Sequence, residues 1–180
     1  MTDYVALLRG IAPLNPKMQN AALRGVFEGL GFNDVRTVIS SGNVLFASPE
    51  RSASRLESQI EEALLDHLGA PCTTMLRTRR QIDDLARSGA FDGYADDEPT
   101  ARCNVTFLKR RPPASQAPPD LGAGSELVAL RDREVLTVVD HTGPAGSMAM
   151  ARLERAYGTE MTTRTWKTVH RIATAFARAR

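Results

Sequence analysis

The fold is decided by a stretch that reads Val35-Arg-Thr-Val-Ile-Ser-Ser-Gly-Asn-Val-Leu-Phe-Ala47. Two β-rich segments, 35–39 and 43–47, are separated by Ser40-Ser41-Gly42, a pattern typical of a β-hairpin. Serine, glycine and asparagine favour tight turns because they bond the local backbone or adopt positive φ. The stretch therefore predicts two antiparallel strands, and the segments around it decide how that pair becomes a sheet.

On the N-terminal side, the chain adds a strand and a helix. Tyr4 to Leu8 is a continuous apolar run, as expected for a buried strand. Asn15-Pro16 then has the form of an N-cap followed by proline at the first helical position. Apolar residues recur at helical spacing from Met18 to Leu30, and Gly31 is placed to end the helix.

On the C-terminal side, a second helix and strand complete the pattern. The helix is expected from Ser52 to Leu68, with Gly69 at its end, and the strand from Cys72 to Thr78. Residues 1–78 therefore run strand, helix, strand, strand, helix, strand. This is the order of a ferredoxin-like, or split βαβ, unit of the α+β class.

Residues 79–180 predict a second, smaller α+β unit that ends in a long amphipathic helix. Its expected elements are a helix at 80–86, strands at 102–108, 127–130 and 135–139, a helix capped by Ser147, and a last helix from about Thr163. An acidic loop at 92–99 and an exposed loop rich in proline, alanine and glycine at 112–124 connect them. We find no internal sequence repeat, although the two halves could share a fold.

Composition limits the classes of function. A formal net charge of +2 is too small to imply a nucleic-acid or membrane partner. All but three of the 23 basic residues are arginine, a bias that favours a GC-rich genome as its origin over a binding surface. Cys72 and Cys103 form no CxxC pair, so we expect two free thiols in a reducing cytoplasm. No apolar run approaches the roughly 20 residues of a membrane span, and we predict a cytoplasmic protein.

Three segments carry a resemblance to a known family. They are Tyr4-Val-Ala-Leu-Leu-Arg-Gly-Ile11, the hairpin stretch from Gly31-Phe32 through Phe46, and Tyr157-Gly158 with Thr162-Thr-Arg-Thr-Trp-Lys-Thr-Val169. In this order they resemble the signature of the family called domain of unknown function 1697. The resemblance spans nearly the whole chain. It implies a pair of ferredoxin-like α+β units and no known activity.

The chain departs from the family pattern at two places. The family's usual Asn-Val-Gly-Gly is here Ala12-Pro-Leu-Asn15, and Thr165 and Lys167 stand where asparagines are common. If the glycine loop of the family binds a ligand, we expect this chain to bind it differently or not at all.

The ferredoxin-like order predicts a candidate site. Strands one and two should be parallel, with strand three antiparallel between them, so the end of strand one and the 40–43 turn should share one edge of the sheet. Arg9 and Gly10 would then lie beside Ser40, Ser41, Gly42 and Asn43. The helix start at Pro16 to Met18 would add backbone N–H groups. Such a set suits an anion or phosphate; ordinary hairpin chemistry with a locally paired Arg9 is the alternative.

The start of the last helix is a second candidate. Thr162, Thr163 and Arg164 offer hydroxyl caps and a cation at a helix N-terminus, which also suits an anion. One face of this helix would carry Trp166, Val169, Ile172, Ala173 and Phe176, and the opposite face Arg164, Lys167, Arg171 and Arg178. The basic face is either solvated or in contact with phosphate.

Other chemistry has little support in the sequence. Asp96-Asp97-Glu98 lacks the spacing of a calcium loop, and we predict no metal. His141 is the one histidine placed to test as a general base. GxxxxGK[ST], GxGxxG, HExxH and GxSxG are all absent, so no cofactor is indicated and whether the protein is an enzyme stays open.

Three functions therefore remain. The first is binding of a small anionic ligand, phosphate- or nucleotide-like, at Arg9, Gly10, Ser40, Ser41, Gly42, Asn43, Thr162, Thr163 and Arg164. The second is nucleic-acid binding through the basic last helix, which the 6% aromatic content disfavours. The third is a protein-interaction module or homodimer.

Overall fold

The computed structural model describes residues 1–40, 42–97, 101–140 and 145–178. The chain forms two compact units, the first comprising Met1–Asp84 and Arg171–Arg180 and the second Leu85–His170. Each unit contains a four-stranded antiparallel sheet, which confirms the predicted α+β class. Among the described residues, no helix has both the length and the apolar character needed to cross a membrane.

The first unit follows the predicted order of elements. They are β1 (Thr2–Leu8), α1 (Asn20–Gly29), β2 (Asn33–Thr37), β3 (Asn43–Ser48), α2 (Ala53–Leu68) and β4 (Thr74–Thr78), followed by α3 (Arg79–Ala86), whose last residues belong to the second unit. The strand order is β2-β3-β1-β4, with all neighbours antiparallel. β3 therefore lies between the parallel strands β1 and β2, as the sequence predicted.

One face of this sheet packs against both helices. The buried cluster consists of Tyr4, Ala6, Leu8, Leu23, Phe27, Val44, Phe46, Leu56, Ile60, Leu64, Cys72 and Leu76. The strand members alternate along β1, β3 and β4, while α1 and α2 contribute residues at helical spacing. The alternation found in the sequence therefore decides which face receives the helices.

The second unit repeats the sheet but not the first helix. Its elements are β5 (Ala101–Leu108), β6 (Ser125–Leu130), β7 (Glu134–Asp140), α4 (Ala145–Tyr157), β8 (Met161–Thr165) and α5 (Trp166–Ala177), whose last residues belong to the first unit. The strand order is β6-β7-β5-β8, the same topology as before. The sequence did not predict β8, and it placed the starts of α4 and α5 at Ser147 and Thr163 instead of Ala145 and Trp166.

The loop at 109–124 occupies the connection that α1 fills in the first unit. Most of its residues are exposed, as predicted, but Leu121 is 3% exposed and joins the core cluster of the second unit. Arg152 of α4 donates to both the carboxylate and the carbonyl oxygen of Asp120, at 2.9 and 3.0 Å. A charge pair and one apolar anchor therefore hold the loop against α4.

The two sheets match in register, although the sequence shows no repeat. Val5 faces Arg77 across β1 and β4, and Val105 faces Arg164 across β5 and β8. In each unit the arginine is followed by a threonine whose hydroxyl accepts an N–H bond from the next helix. The two units therefore have the same strand register, although their sequences show no repeat.

The outer edge of β4 is closed by side chains. The N–H groups that point away from β1 donate to oxygens of Glu57, Glu61 and Gln81, at 2.7 to 2.9 Å. Unpaired edge groups are sites of unwanted strand pairing, and these acceptors satisfy them. Glu57 is only 4% exposed, so its bond to the Leu76 N–H is a buried one.

We predict that Glu57→Ala lowers the free energy of unfolding by about 1–3 kcal/mol, because it leaves a buried N–H without an acceptor. Glu57→Gln should lose less, since its amide oxygen still accepts. Glu62→Ala, on the exposed face of α2, is the control and should stay within about 0.5 kcal/mol of the parent. Urea unfolding measures all three, and equal losses at Glu57 and Glu62 would contradict the role of Glu57.

Candidate functional site

The end of β1 and the hairpin turn meet at one edge of the first sheet. The Leu8 N–H donates to the Gly42 carbonyl oxygen at 2.8 Å. A Cβ added to Gly42 would lie 2.7 Å from Ile11 Cγ1 and 3.0 Å from Leu8 Cβ, so side chains already fill the space beside this glycine. We call this edge the rim; it comprises Arg9, Gly10, Ile11, Ile39, Ser40 and Gly42. The predicted meeting of these two segments is confirmed.

The turn of the rim is built by Asn43. Its amide Nδ2 donates to the Val38 carbonyl oxygen at 2.9 Å, and the Val38 N–H donates to the Asn43 carbonyl oxygen at 2.9 Å. Asn43 is 1% exposed, so this amide is part of the turn. Between them, Ile39 has φ +60, a conformation rare for a β-branched residue that costs about 1–3 kcal/mol. Ser41 lies outside the described residues.

A depression of about 360 Å³ opens on the helix side of the rim. It is lined by Pro13, Gln19, Asn20, Ala21 and Ser40. The first turn of α1 therefore forms one wall, and the Ser40 end of the hairpin turn forms another. Of the residues that the sequence proposed for this site, Ser40 lines the depression, and it does so together with the observed start of α1.

The helix wall of the depression presents backbone donors. The Leu23 N–H, bonded to the Gln19 oxygen at 3.0 Å, begins the helical ladder, so the N–H groups of Asn20, Ala21 and Ala22 precede it. Within the described part of the chain, the Gln19 side chain makes no capping bond and the first turn holds no acidic residue. The partial positive charge of the helix therefore faces the depression, which suits an anion.

Arg9 lies at the rim but on the other side of the sheet. Its N–H donates to the Thr73 carbonyl oxygen at 2.8 Å, so strand pairing continues one residue past Leu8. Side chains alternate along a strand, and Leu8 belongs to the cluster under the helices. Alternation therefore directs the Arg9 side chain to the face opposite α1. Gly10 follows it with φ +85.

The predicted donors at Pro16 to Met18 require a correction. These three residues form a 3₁₀ turn, and α1 begins only at Asn20. The Asn15 side chain caps that turn by accepting the Lys17 N–H at 3.0 Å, and the Met18 N–H bonds back to the Asn15 oxygen. Because the turn uses its own N–H groups, the donors that face the depression come later in the chain.

The predicted site at Thr162, Thr163 and Arg164 also requires a correction. All three lie in β8 of the second unit, because β-branched residues favour a strand and pair here with β5. Arg164 is 9% exposed and donates to the Thr162 hydroxyl at 2.6 Å and the Thr163 carbonyl at 2.9 Å. Burial lowers the pKa of Arg164 to about 10. Arg164 is therefore not part of the basic face of α5. The smaller basic face weakens the case for nucleic-acid binding.

Other reactive groups are used within the fold. The Asp96 carboxylate accepts the Cys103 N–H at 3.1 Å, and among the described residues no group of three carboxylates, histidines or cysteines suits a metal. Burial raises the pKa of Cys72 and of Cys103 to about 11, so both thiols are protonated at neutral pH. Glu98 and His141 lie outside the described residues.

Comparison with known proteins gives a family and a fold. The model of a family described as "Protein of unknown function (DUF1697)" matches residues 1–135, which confirms the resemblance found in the sequence. None of the curated proteins compared matches the chain. A solved structure of a conserved bacterial protein from Streptococcus pneumoniae is 20% identical, with a TM-score of 0.71 and 98% of this chain and 99% of that chain covered. At that identity the likeness shows the fold alone.

Substitution of the rim glycines should separate backbone strain from crowding. Gly10→Ala places a side chain at positive φ with open space around it, and we expect a loss of about 1–2 kcal/mol in the free energy of unfolding. Gly42→Ala, at φ +71, adds a clash with Ile11 and should lose about 1–3 kcal/mol more. Urea unfolding measures both. Equal losses would show that the rim is not tightly packed at Gly42.

Proposed function

The chain belongs to the family described as "Protein of unknown function (DUF1697)", and we propose that its first unit binds a small anionic ligand, phosphate- or nucleotide-like, in the depression at the rim. The family description carries no activity, so the support comes from the geometry. One observation carries most of it: the N-terminal turn of α1, without a side-chain cap from Gln19, lines the same depression as Ser40.

The chemistry of the depression favours an anion over a neutral or cationic ligand. A helix N-terminus carries roughly half a positive charge, and its leading N–H groups are donors that need acceptors. The Ser40 hydroxyl adds a donor from the facing wall. Phosphate oxygens accept several such bonds at once, and a depression of about 360 Å³ holds a phosphate with part of the group attached to it.

Arg9 would act on the ligand through the electrostatic field of its guanidinium group. It stands at the rim on the far side of the sheet, so we assign it long-range attraction of the ligand. Lys109 holds the matching place in the second unit, since it also follows a strand and donates its N–H to the neighbouring strand, to the Glu160 oxygen at 2.9 Å. Lys109 Nζ lies 3.8 Å from the Glu160 carboxylate. Lys109→Ala, at this matching position of the second unit, is therefore the control variant for Arg9→Ala.

Binding of an anionic ligand should raise the thermal stability of the protein. Inorganic phosphate, sugar phosphates and nucleotides should be screened by thermal unfolding. A ligand at 100 times its dissociation constant stabilises the folded state by about 2.7 kcal/mol. For a chain of this size that raises Tm by about 5 to 10 °C. A screen without any shift at ligand concentrations up to 10 mM would contradict the proposal.

A charge placed in the depression should remove binding without loss of folding. Ala21→Glu puts a carboxylate on the first turn of α1, where it stabilises the helix by about 0.3–1 kcal/mol and repels the ligand. We expect Tm without ligand to stay or rise, and the ligand-dependent shift to vanish. Ala21→Gln, similar in shape and uncharged, should keep the shift. If Ala21→Glu also keeps it, the ligand binds elsewhere.

Arg9→Ala should have a smaller effect that depends on salt. Arg9 is half-buried, and a charge that acts through solvent contributes about 1 kcal/mol at most, so affinity should fall about fivefold or less at low ionic strength. The difference should disappear in 1 M salt, where the Debye length is about 3 Å. Lys109→Ala should leave affinity unchanged at either salt concentration. Isothermal titration measures these values, and a large loss that resists salt would instead place Arg9 in direct contact with the ligand.

A further inference from the structure

Four positions on the helix side of the second sheet are polar where the matching positions of the first sheet are apolar. Matching by register, the positions held by Tyr4, Ala6, Phe46 and Leu76 in the first unit are held by Asn104, Thr106, Thr137 and Thr163 in the second. The first set belongs to the apolar core under α1 and α2. The shared topology accepts an apolar layer here, so the fold does not demand the polar one.

Part of this polar layer is satisfied internally. Thr106 Oγ1 and Thr163 Oγ1 lie 2.7 Å apart, and Thr163 Oγ1 also contacts the sulfur of Met150 on α4 at 3.5 Å. The Asn104 amide Nδ2 donates to the Arg102 carbonyl oxygen at 3.2 Å. The Met150 contact shows that this part of the face lies under α4, and the bonds satisfy the two threonine hydroxyls and one N–H of the Asn104 amide.

Two hydroxyl groups of the layer are not satisfied by these bonds. Within the described residues, Thr137 Oγ1 and Ser125 Oγ are buried and have no hydrogen-bond partner. Thr137 is 0% exposed and lies directly across the strand pair from Asn104, which is 9% exposed. Ser125 pairs with Val139, two residues along β7 on the same face as Thr137. A buried hydroxyl without a partner is costly and is usually satisfied by a bound oxygen.

We propose that this layer is a binding site for a neutral oxygen ligand, held by the Thr137 hydroxyl with Asn104 and Ser125 beside it. Hydroxyl and amide groups both donate and accept, which matches water or the hydroxyl of a polyol. Arg102 lies on the same face with its Nε buried, but the residue has contacts of its own, so we assign it no part in the site. Water is the occupant in the absence of other ligands, since a buried water makes about three bonds to groups of this kind.

The test is nuclear magnetic resonance of the full chain with three forms of residue 137. In the parent, long-lived water contacts are expected at the Thr137 methyl and hydroxyl groups. Thr137→Ser keeps the hydroxyl and should keep the water contact at that position. Thr137→Val keeps the shape and loses the hydroxyl, so the contact should vanish and Tm should stay or fall.

A titration with glycerol separates the two sources of the oxygen. If glycerol shifts the Thr137 signals in the parent but not in Thr137→Val, the site accepts a polyol. If only water contacts are seen, the site is a water site, and both results support the proposal. It is overturned if the parent shows neither contact, or if Thr137→Val raises Tm, since a dry, unsatisfied hydroxyl gains stability when replaced by a methyl group.

Discussion

The structure of the first unit depends on the pairing of β1 with both of its neighbours. β1 is bonded to β3 on one side and β4 on the other, and its last N–H reaches the Gly42 carbonyl oxygen. In this unit the turn also packs against the Ile11 side chain, so a Cβ at position 42 would lie 2.7 Å from Ile11 Cγ1. The same contact brings the hairpin turn beside the start of α1. The depression at the rim is therefore a consequence of strand pairing.

In the second unit, charged side chains occupy the matching edge of the sheet. The position of Gly42 is held by Arg133, whose carbonyl accepts the Leu108 N–H at 2.8 Å and whose guanidinium donates to the Lys109 oxygen at 3.3 Å. Glu160 lies near the Lys109 ammonium group. The described residues 109–124, which follow β5, contain no helix, so this connection supplies no helix N-terminus to the edge. The two units have the same sheet topology but differ at this edge. We therefore assign the anion to the first unit.

The sequence predicted the first unit better than the second for a physical reason. In residues 1–78, the apolar spacing and the turn residues agree on one structure, and the meeting of β1 with the turn followed from strand order. β8 was missed because its threonines and Arg164 carry no apolar alternation, and their strand is decided by pairing with β5. The sequence also could not give the first residue of α1, since Asn15 caps a 3₁₀ turn as well as it would an α-helix. The polar layer at Thr137 could not be predicted, because it depends on which residues of the two sheets occupy matching positions.

The most direct measurement is a titration of the isotope-labelled protein with inorganic phosphate, followed through backbone amide signals. We predict saturable shifts of the Asn20, Ala21 and Ala22 amides together with that of Ser40, and none in the loop at 109–124 that stands in place of α1 in the second unit. Amides of the α1 start that do not respond up to 50 mM phosphate and to the nucleotides tested, or that respond no more than the loop at 109–124, would contradict anion binding at the rim.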